Sequence, residues 1–193
     1  MFFRRALAFV TVASLALLSH ARPAHHARAV AVAAAAGTTT PVDATTFISN
    51  INLFQKDIEA CSDDISKAAS TGKDPEEKMK ELNGIFTAFK FPASVKLTPE
   101  QEKECAEIVT VSLTKSIKAC HDVAAKHNFM KYYAKWTETD FAMHSFMQKL
   151  ASLSFSLYKQ SLVDAGKPSA GRLHDMKMRH MENDFRGMGI SYE

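Results

Sequence analysis

The chain is 193 residues long, 46% hydrophobic, with a formal net charge of +3 and only 7 glycines and 6 prolines. That length supports one domain of ordinary size without help from metals or many disulfides, and so few turn-formers favour an all-α over an all-β architecture. Between Pro41 and Pro168 lysines and acidic residues nearly balance and arginine is missing, so the positive excess sits at the two ends, and a body without a guanidinium fork argues against nucleic acid as a partner.

Residues 1–21 read as a secretory signal: Arg4-Arg5 supply the positive start, Ala6 to Leu18 are uncharged, and Ser19-His20-Ala21 offer small residues at the cleavage positions. The apolar run is too short to span a bilayer, so no transmembrane segment is expected in the mature protein. A mitochondrial presequence is the rival reading, because Arg4, Arg5, Arg22 and Arg28 all precede the first acid, Asp43. An amphipathic presequence would spread its arginines through the apolar stretch, which this one does not. Residues 22–42, rich in alanine and threonine, look like a flexible pro-segment, and His25-His26 there like solvated linker histidines. Asn-x-Ser/Thr triplets are absent.

Residues 43–168 are expected to form an up-down bundle of four long or medium helices. The first starts near Asp43 or Thr45 and ends by Gly72. Phe47, Ile51, Phe54, Ile58, Cys61, Ile65 and Ala68 step in alternating fours and threes, a heptad seam that packs nearly along its neighbours. Asp74-Pro75-Glu76-Glu77 opens the second, with negative charge in the first turn; Met79, Leu82, Phe86 and Phe89 are its stripe, and Pro92 ends it. Gly84 costs that helix about 1 kcal/mol relative to alanine, so it leans on tertiary packing.

Thr98-Pro99-Glu100-Gln101 is a capping box with proline at the first helical position. It opens a third helix, reaching His127, whose apolar stripe is Ala106, Val109, Leu113, Ile117, Cys120 and Ala124, with Cys105 off to the side. Then comes the most aromatic stretch of the body, Phe129 to Trp136. Thr137 or Thr139 caps a fourth helix with two apolar rows, Met143/Phe146/Leu150/Leu153/Leu157 and Phe155/Tyr158/Leu162, which Gly166 and Pro168 stop. Residues 169–193 form a basic tail in which Leu173 to Met181 can make a short fifth helix, fraying beyond Gly187.

Three cysteines leave one over. Cys105 and Cys120 lie about 22 Å apart along one helix axis, while bridged Cα atoms sit about 4.4 to 6.8 Å apart, so an intramolecular disulfide must use Cys61. If the first and third helices run parallel its partner is Cys120; if antiparallel, Cys105. The up-down order favours Cys61–Cys120. The alternative is that the thiols are small buried hydrophobes and no bridge forms.

No nucleophile elbow, His-Glu-x-x-His, glycine-rich phosphate loop or Cys-x-x-Cys is present, and the acids cluster in helix first turns, where dipole and capping explain them. The chain therefore reads as non-enzymatic and without a cofactor. His174, Met178 and Met181 would share a face in a tail helix and suit Cu(I), but methionine stripes at helical spacing are usually core contacts, and no metal site is expected. Phe129, Tyr132, Tyr133 and Trp136, flanked by Lys131 and Lys135, either plug one end of the bundle or form the mouth of an apolar site. The 13 phenylalanines and 9 methionines can likewise fill a core or surround a guest. In the second case Phe47/Ile51/Phe54/Ile58, Val109/Leu113/Ile117 and Phe146/Leu150/Leu153 line a slot.

The layout over about Ala44 to Leu162 resembles the hydrophobic-surface-binding protein A family of secreted fungal proteins, which extends to cell-wall mannoprotein domains. What carries the resemblance is the seam helix, the shorter helix with Met79, Leu82 and Phe86, Leu97-Thr98 opening a long helix, Ala125-Lys126-His127-Asn128-Phe129, and the long final helix. It implies a helical bundle outside the cell or in the cell wall that binds fatty acids or hydrophobic surfaces without catalysis. A small secreted host-interaction protein acting through an exposed patch is the alternative.

Overall fold

A computed structural model describes residues 42–126 and 129–192, with the backbone alone for Phe129; the signal and linker segments expected before Val42 lie outside the described residues. Among the described residues there is no strand. The helices are α1 (Ala44–Thr71), α2 (Glu76–Ala88), α3 (Pro99–Lys126), a short 3₁₀ turn (Phe129–Tyr132), α4 (Tyr133–Leu153), α5 (Phe155–Asp175) and α6 (Arg179–Gly187). None is long and apolar enough to cross a membrane.

The start signals work as their chemistry requires. The Gln101 amide donates to Thr98 Oγ1 at 3.3 Å and the Thr98 amide to Gln101 Oε1 at 3.0 Å, the reciprocal pair of a capping box. Asp74 accepts from the Glu76 amide at 3.1 Å. α1 ends on Gly72, whose φ of 71° is left-handed, as a glycine allows without a Cβ penalty. Its buried seam is the expected one until the last step, where Ala69 replaces Ala68 inside, because a straight helix drifts from a strict 3.5-residue repeat.

α3 lies between α1 and α5, which run parallel to it. Ser66 reaches Asp122 and Lys115 reaches Glu59 on one side; Ser154 reaches Glu102 and His121 reaches Asp175 on the other. α2 turns back along α1, bringing Phe86 to Phe54 and Phe89 to Phe47. α4 runs alongside α2, with Phe146 against Phe86. α6 packs on α4 and α5.

Several boundaries differ from expectation. The fourth helix is two. Ser154 sits in extended backbone (φ −151°, ψ 110°), accepts from the Leu157 amide at 3.2 Å and donates to Glu102 Oε1 at 2.8 Å, so it caps α5 and ties it to α3. Met143, Phe146, Leu150 and Leu153 belong to α4, while Leu157, expected in the same row, lies in α5 with Phe155, Tyr158 and Leu162. Thr137 and Thr139 do not cap α4; their hydroxyls donate to the carbonyls of Tyr133 and Lys135 one turn back, within the helix. Gly166 and Pro168 interrupt the helix where expected, and a second helical segment resumes beyond them to Asp175. Gly166 takes φ 64°, ψ −172°, a combination open essentially to glycine, and Pro168 falls in the first turn of the segment that resumes, where it gives up no bonded amide.

The second helix ends at Ala88, before Pro92, because Phe89 turns extended (ψ 126°) and lays its ring edge-on to Phe54 at 5.2 Å. Beyond Gly187 the tail is ordered: the Ile190 amide donates to the Phe185 carbonyl at 3.0 Å, and Tyr192 stacks on His174 at 3.9 Å between ring centroids.

Candidate functional site

The three rows expected to line a slot do converge. Phe47, Ile51, Phe54 and Ile58 of α1, Val109, Leu113 and Ile117 of α3, and Phe146 and Leu150 of α4 are buried, and Leu153 is partly buried against them. Between α1 and α4 the space holds rings: Phe54 and Phe146 stack at 4.7 Å and 8°, with Phe86, Phe89 and Phe91 edge-on around Phe146 at 5.0 to 5.6 Å. This is aromatic packing of the kind that adds to area burial.

The aromatic stretch divides. Tyr132 and Trp136 are buried, Tyr133 is half exposed, and Met130 is 71% exposed. Tyr132 Oη donates to Asp74 Oδ1 at 3.0 Å and Lys131 Nζ to Asp74 Oδ2 at 2.7 Å, so Asp74 links the α1–α2 turn to the start of α4. Lys131 and the Glu76 amide, in that order, hold the Asp74 carboxyl down at about 2.

The open apolar feature lies elsewhere, between α2 and α4. A groove of about 470 Å³ is lined by Gly84 and Thr87 of α2, Thr137, Phe141 and Ala142 of α4, and His180 of α6, and its surface is almost wholly apolar. The space beside Gly84 is open: a Cβ there would meet nothing within 4 Å. Phe141 stands at the rim, 62% exposed, its ring edge-on to His180 at 6.1 Å. Composition and period did not single out this groove because Gly84 reads as a helix defect and Phe141 belongs to none of the apolar rows. The available signal was phase, since Phe141 lies off the Met143/Phe146/Leu150 row.

No protein-family model, curated protein or solved structure matches this chain.

One wall of the groove depends on how α6 is held, and the holding groups are charged. Asp140 of α4, buried, accepts from the His180 and Met181 amides at 2.9 and 2.8 Å, capping α6 from another helix, and pairs with His180 Nδ1 at 3.0 Å. Asp184 pairs with His144 Nδ1 at 2.8 Å and accepts from Gln148 at 3.0 Å. Glu182 pairs with His174 Nδ1 at 3.2 Å and with Arg186 at 2.8 Å. Burial pushes the Asp184 carboxyl above the ordinary carboxylate range against the pull of His144, Gln148 and Tyr158. Burial, then the charge of Asp184, pushes the Tyr158 phenol up to about 12.

The tail methionines are core. Met178 and Met181 are fully buried, and His174 lies in the last turn of α5, Met178 just before α6 and Met181 within it, so the three do not share one helix face. Among the described residues no group of three or more His, Cys, Asp or Glu side chains is placed to hold a metal. Cys61, Cys105 and Cys120 are all free and buried. Cys61 and Cys120 are the pair that parallel α1 and α3 bring within electrostatic reach of each other; the Cys61 thiol contacts the Lys78 carbonyl at 3.2 Å. Cys105, expected off the apolar stripe, is as buried as the rest, because α3 packs a second row, Cys105, Ser112, Ser116 and Ala119, facing inward as well.

Proposed function

We propose that this is a secreted, non-catalytic protein that binds an acyl chain or similar apolar guest in the groove between α2 and α4. The observation that carries the reading is the groove itself. It is an open apolar cleft within the 300–1,000 Å³ range of small-molecule sites, with open space beside Gly84 and an exposed phenylalanine at its rim. The resemblance in layout to the hydrophobic-surface-binding protein A family supports the same assignment. The interior rows are better read as the packed core that holds α2 and α4 at this spacing than as the binding site.

Titration with a fluorescent fatty acid tests this. Gly84→Trp places an indole in the groove and Phe141→Asp a charge at its rim; each should weaken binding at least tenfold, about 1.4 kcal/mol, without loss of helix content. A wild type that binds no fatty acid, sterol or hydrophobic surface, or a Gly84→Trp chain that binds as well as wild type, would remove the reading. Export is tested by N-terminal sequencing of secreted material, which should begin at or just after Arg22.

A second reading has its own observation. Tyr133 and Phe141 of α4 are exposed, as is Met130 in the 3₁₀ turn that precedes it, a set of apolar side chains suited to a host protein partner. Variants of Met130 and Tyr133 separate the two, since they lie outside the groove lining.

A further inference from the structure

Asn83, Thr87, Thr137, Glu138 and His180 all line the α2/α4 groove, yet its surface is almost wholly apolar. The polar atoms are used elsewhere. Thr87 Oγ1 donates to the Asn83 carbonyl at 2.9 Å and Thr137 Oγ1 to the Tyr133 carbonyl at 3.2 Å, so each hydroxyl has used its one proton inside its own helix. Both oxygens of Glu138 accept from Lys135 Nζ, at 3.1 and 3.0 Å, and His180 Nδ1 pairs with Asp140. Among the described residues no lysine or arginine lines the groove. Asn83 is different. Its Oδ1 is shielded from solvent and has no hydrogen-bond partner among the described residues, and a buried acceptor left unpaired forfeits the bond it would make in water. A half-turn about the terminal bond exchanges Oδ1 and Nδ2 with little change of shape, so this wall can present either end of the amide.

We propose that the groove selects a long-chain lipid with an uncharged hydroxyl head, of the fatty-alcohol kind, and that its O–H pairs with the Asn83 side chain. This rests on the binding site proposed above and names its guest. A hydroxyl both donates and accepts, so it pairs with the amide whichever end is presented. A carboxylate only accepts, finds no cation in the lining to offset its charge, and lies near the acid of Glu138; taking it out of water into such surroundings is costly. A fatty acid therefore binds by its chain alone, with its head left in solvent. An ester head has no proton to give to Oδ1. The chain of each lipid takes the open space beside Gly84 and the exposed ring of Phe141.

The test is displacement of Nile red from the full chain at pH 7.5 by 1-dodecanol, laurate and methyl laurate, which share one chain. The three leave water with different ease, so each is read as the ratio of its Kd in a variant to its Kd in wild type. Asn83→Leu keeps the side-chain size and removes the amide; it should weaken 1-dodecanol about fivefold, as loss of one hydrogen bond does, and leave methyl laurate unchanged. Asn83→Ala, a better helix former, gives the same reading should leucine not fit. Glu138→Gln removes the acid and releases Lys135; it should strengthen laurate at least about fivefold and leave 1-dodecanol unchanged. Asn83 variants that lose nothing for 1-dodecanol relative to methyl laurate overturn the proposal, and so does a Glu138→Gln chain with unchanged laurate affinity; both results leave the groove standing. A wild type that binds none of the three, or binding of all three that Gly84→Trp leaves intact, removes the groove and this inference with it.

Discussion

Phe54 of α1 and Phe146 of α4 stack face to face, 4.7 Å between centroids and 8° between planes, and this contact joins α4 directly to the seam of α1. Four further ring contacts converge on the same two side chains from Phe86 and Phe89, and Phe91 adds another on Phe146. Removing one ring leaves a hole that its aromatic neighbours cannot close. Phe146→Ala should cost about 3–5 kcal/mol in urea-induced unfolding, and Phe54→Lys should prevent folding outright, since it puts a charge in the stack. A Phe146→Ala chain within 1 kcal/mol of wild type would mean that the cluster is not packed as described.

The end of α5 places a lysine where helices prefer glycine. The Met178 amide donates to Leu173 and the Lys177 amide to His174, each at 3.0 Å, with Lys177 at φ 60°. A side chain in that conformation costs about 1 kcal/mol or more. Lys177→Gly should raise stability by about 0.5–1 kcal/mol and the melting temperature by about 2–4 °C. Gly166→Ala should do the reverse, by about 1–3 kcal/mol. Thermal denaturation of both variants decides the matter.

The thiols should be inert in the folded protein. Burial raises Cys61 and Cys120 to about 12 and Cys105 to about 11, and only the thiolate attacks. Iodoacetamide at pH 8 should label none of the three in native protein within an hour and all three in urea, as counted by mass spectrometry. Rapid labelling of Cys105 without denaturant would show that α3 and α5 separate readily.

Asp74 ties two chain turns together in a pH-dependent way. Its carboxyl, held at about 2 by Lys131 and then the Glu76 amide, is depressed relative to an unfolded aspartate. Its contribution is thus fully present above about pH 4 and is lost as pH falls toward 2. The pair is exposed, so the effect should be modest and shrink with salt. Asp74→Asn should flatten that acid limb of the stability profile while leaving the neutral range nearly unchanged.

Sequence alone determined the helices that carry their own signals. Thr98 and Gln101 cap α3 with bonds between neighbours three residues apart, Gly72 ends α1 by its own backbone freedom, and the α1 seam from Phe47 to Ile65 faces inward by period. These are local matters, settled by groups close along the chain. Tertiary structure decided the rest. Ser154 breaks the final helix because Glu102, far off in sequence, accepts its hydroxyl proton while the Leu157 amide donates to it; without that partner a serine after Leu153 could continue the helix. Cys105 and Ser112 lie inside because α5 covers a second face of α3, which small polar side chains permit but do not announce. Asp140, Glu182 and Asp184 are buried only because histidines from three helices meet them at α6. The groove exists because packing brings Gly84 of α2 and Phe141 and Ala142 of α4 to line one space. Period reports which face of a helix is apolar; which neighbour covers that face, and where none does, depends on contacts between residues distant in the chain.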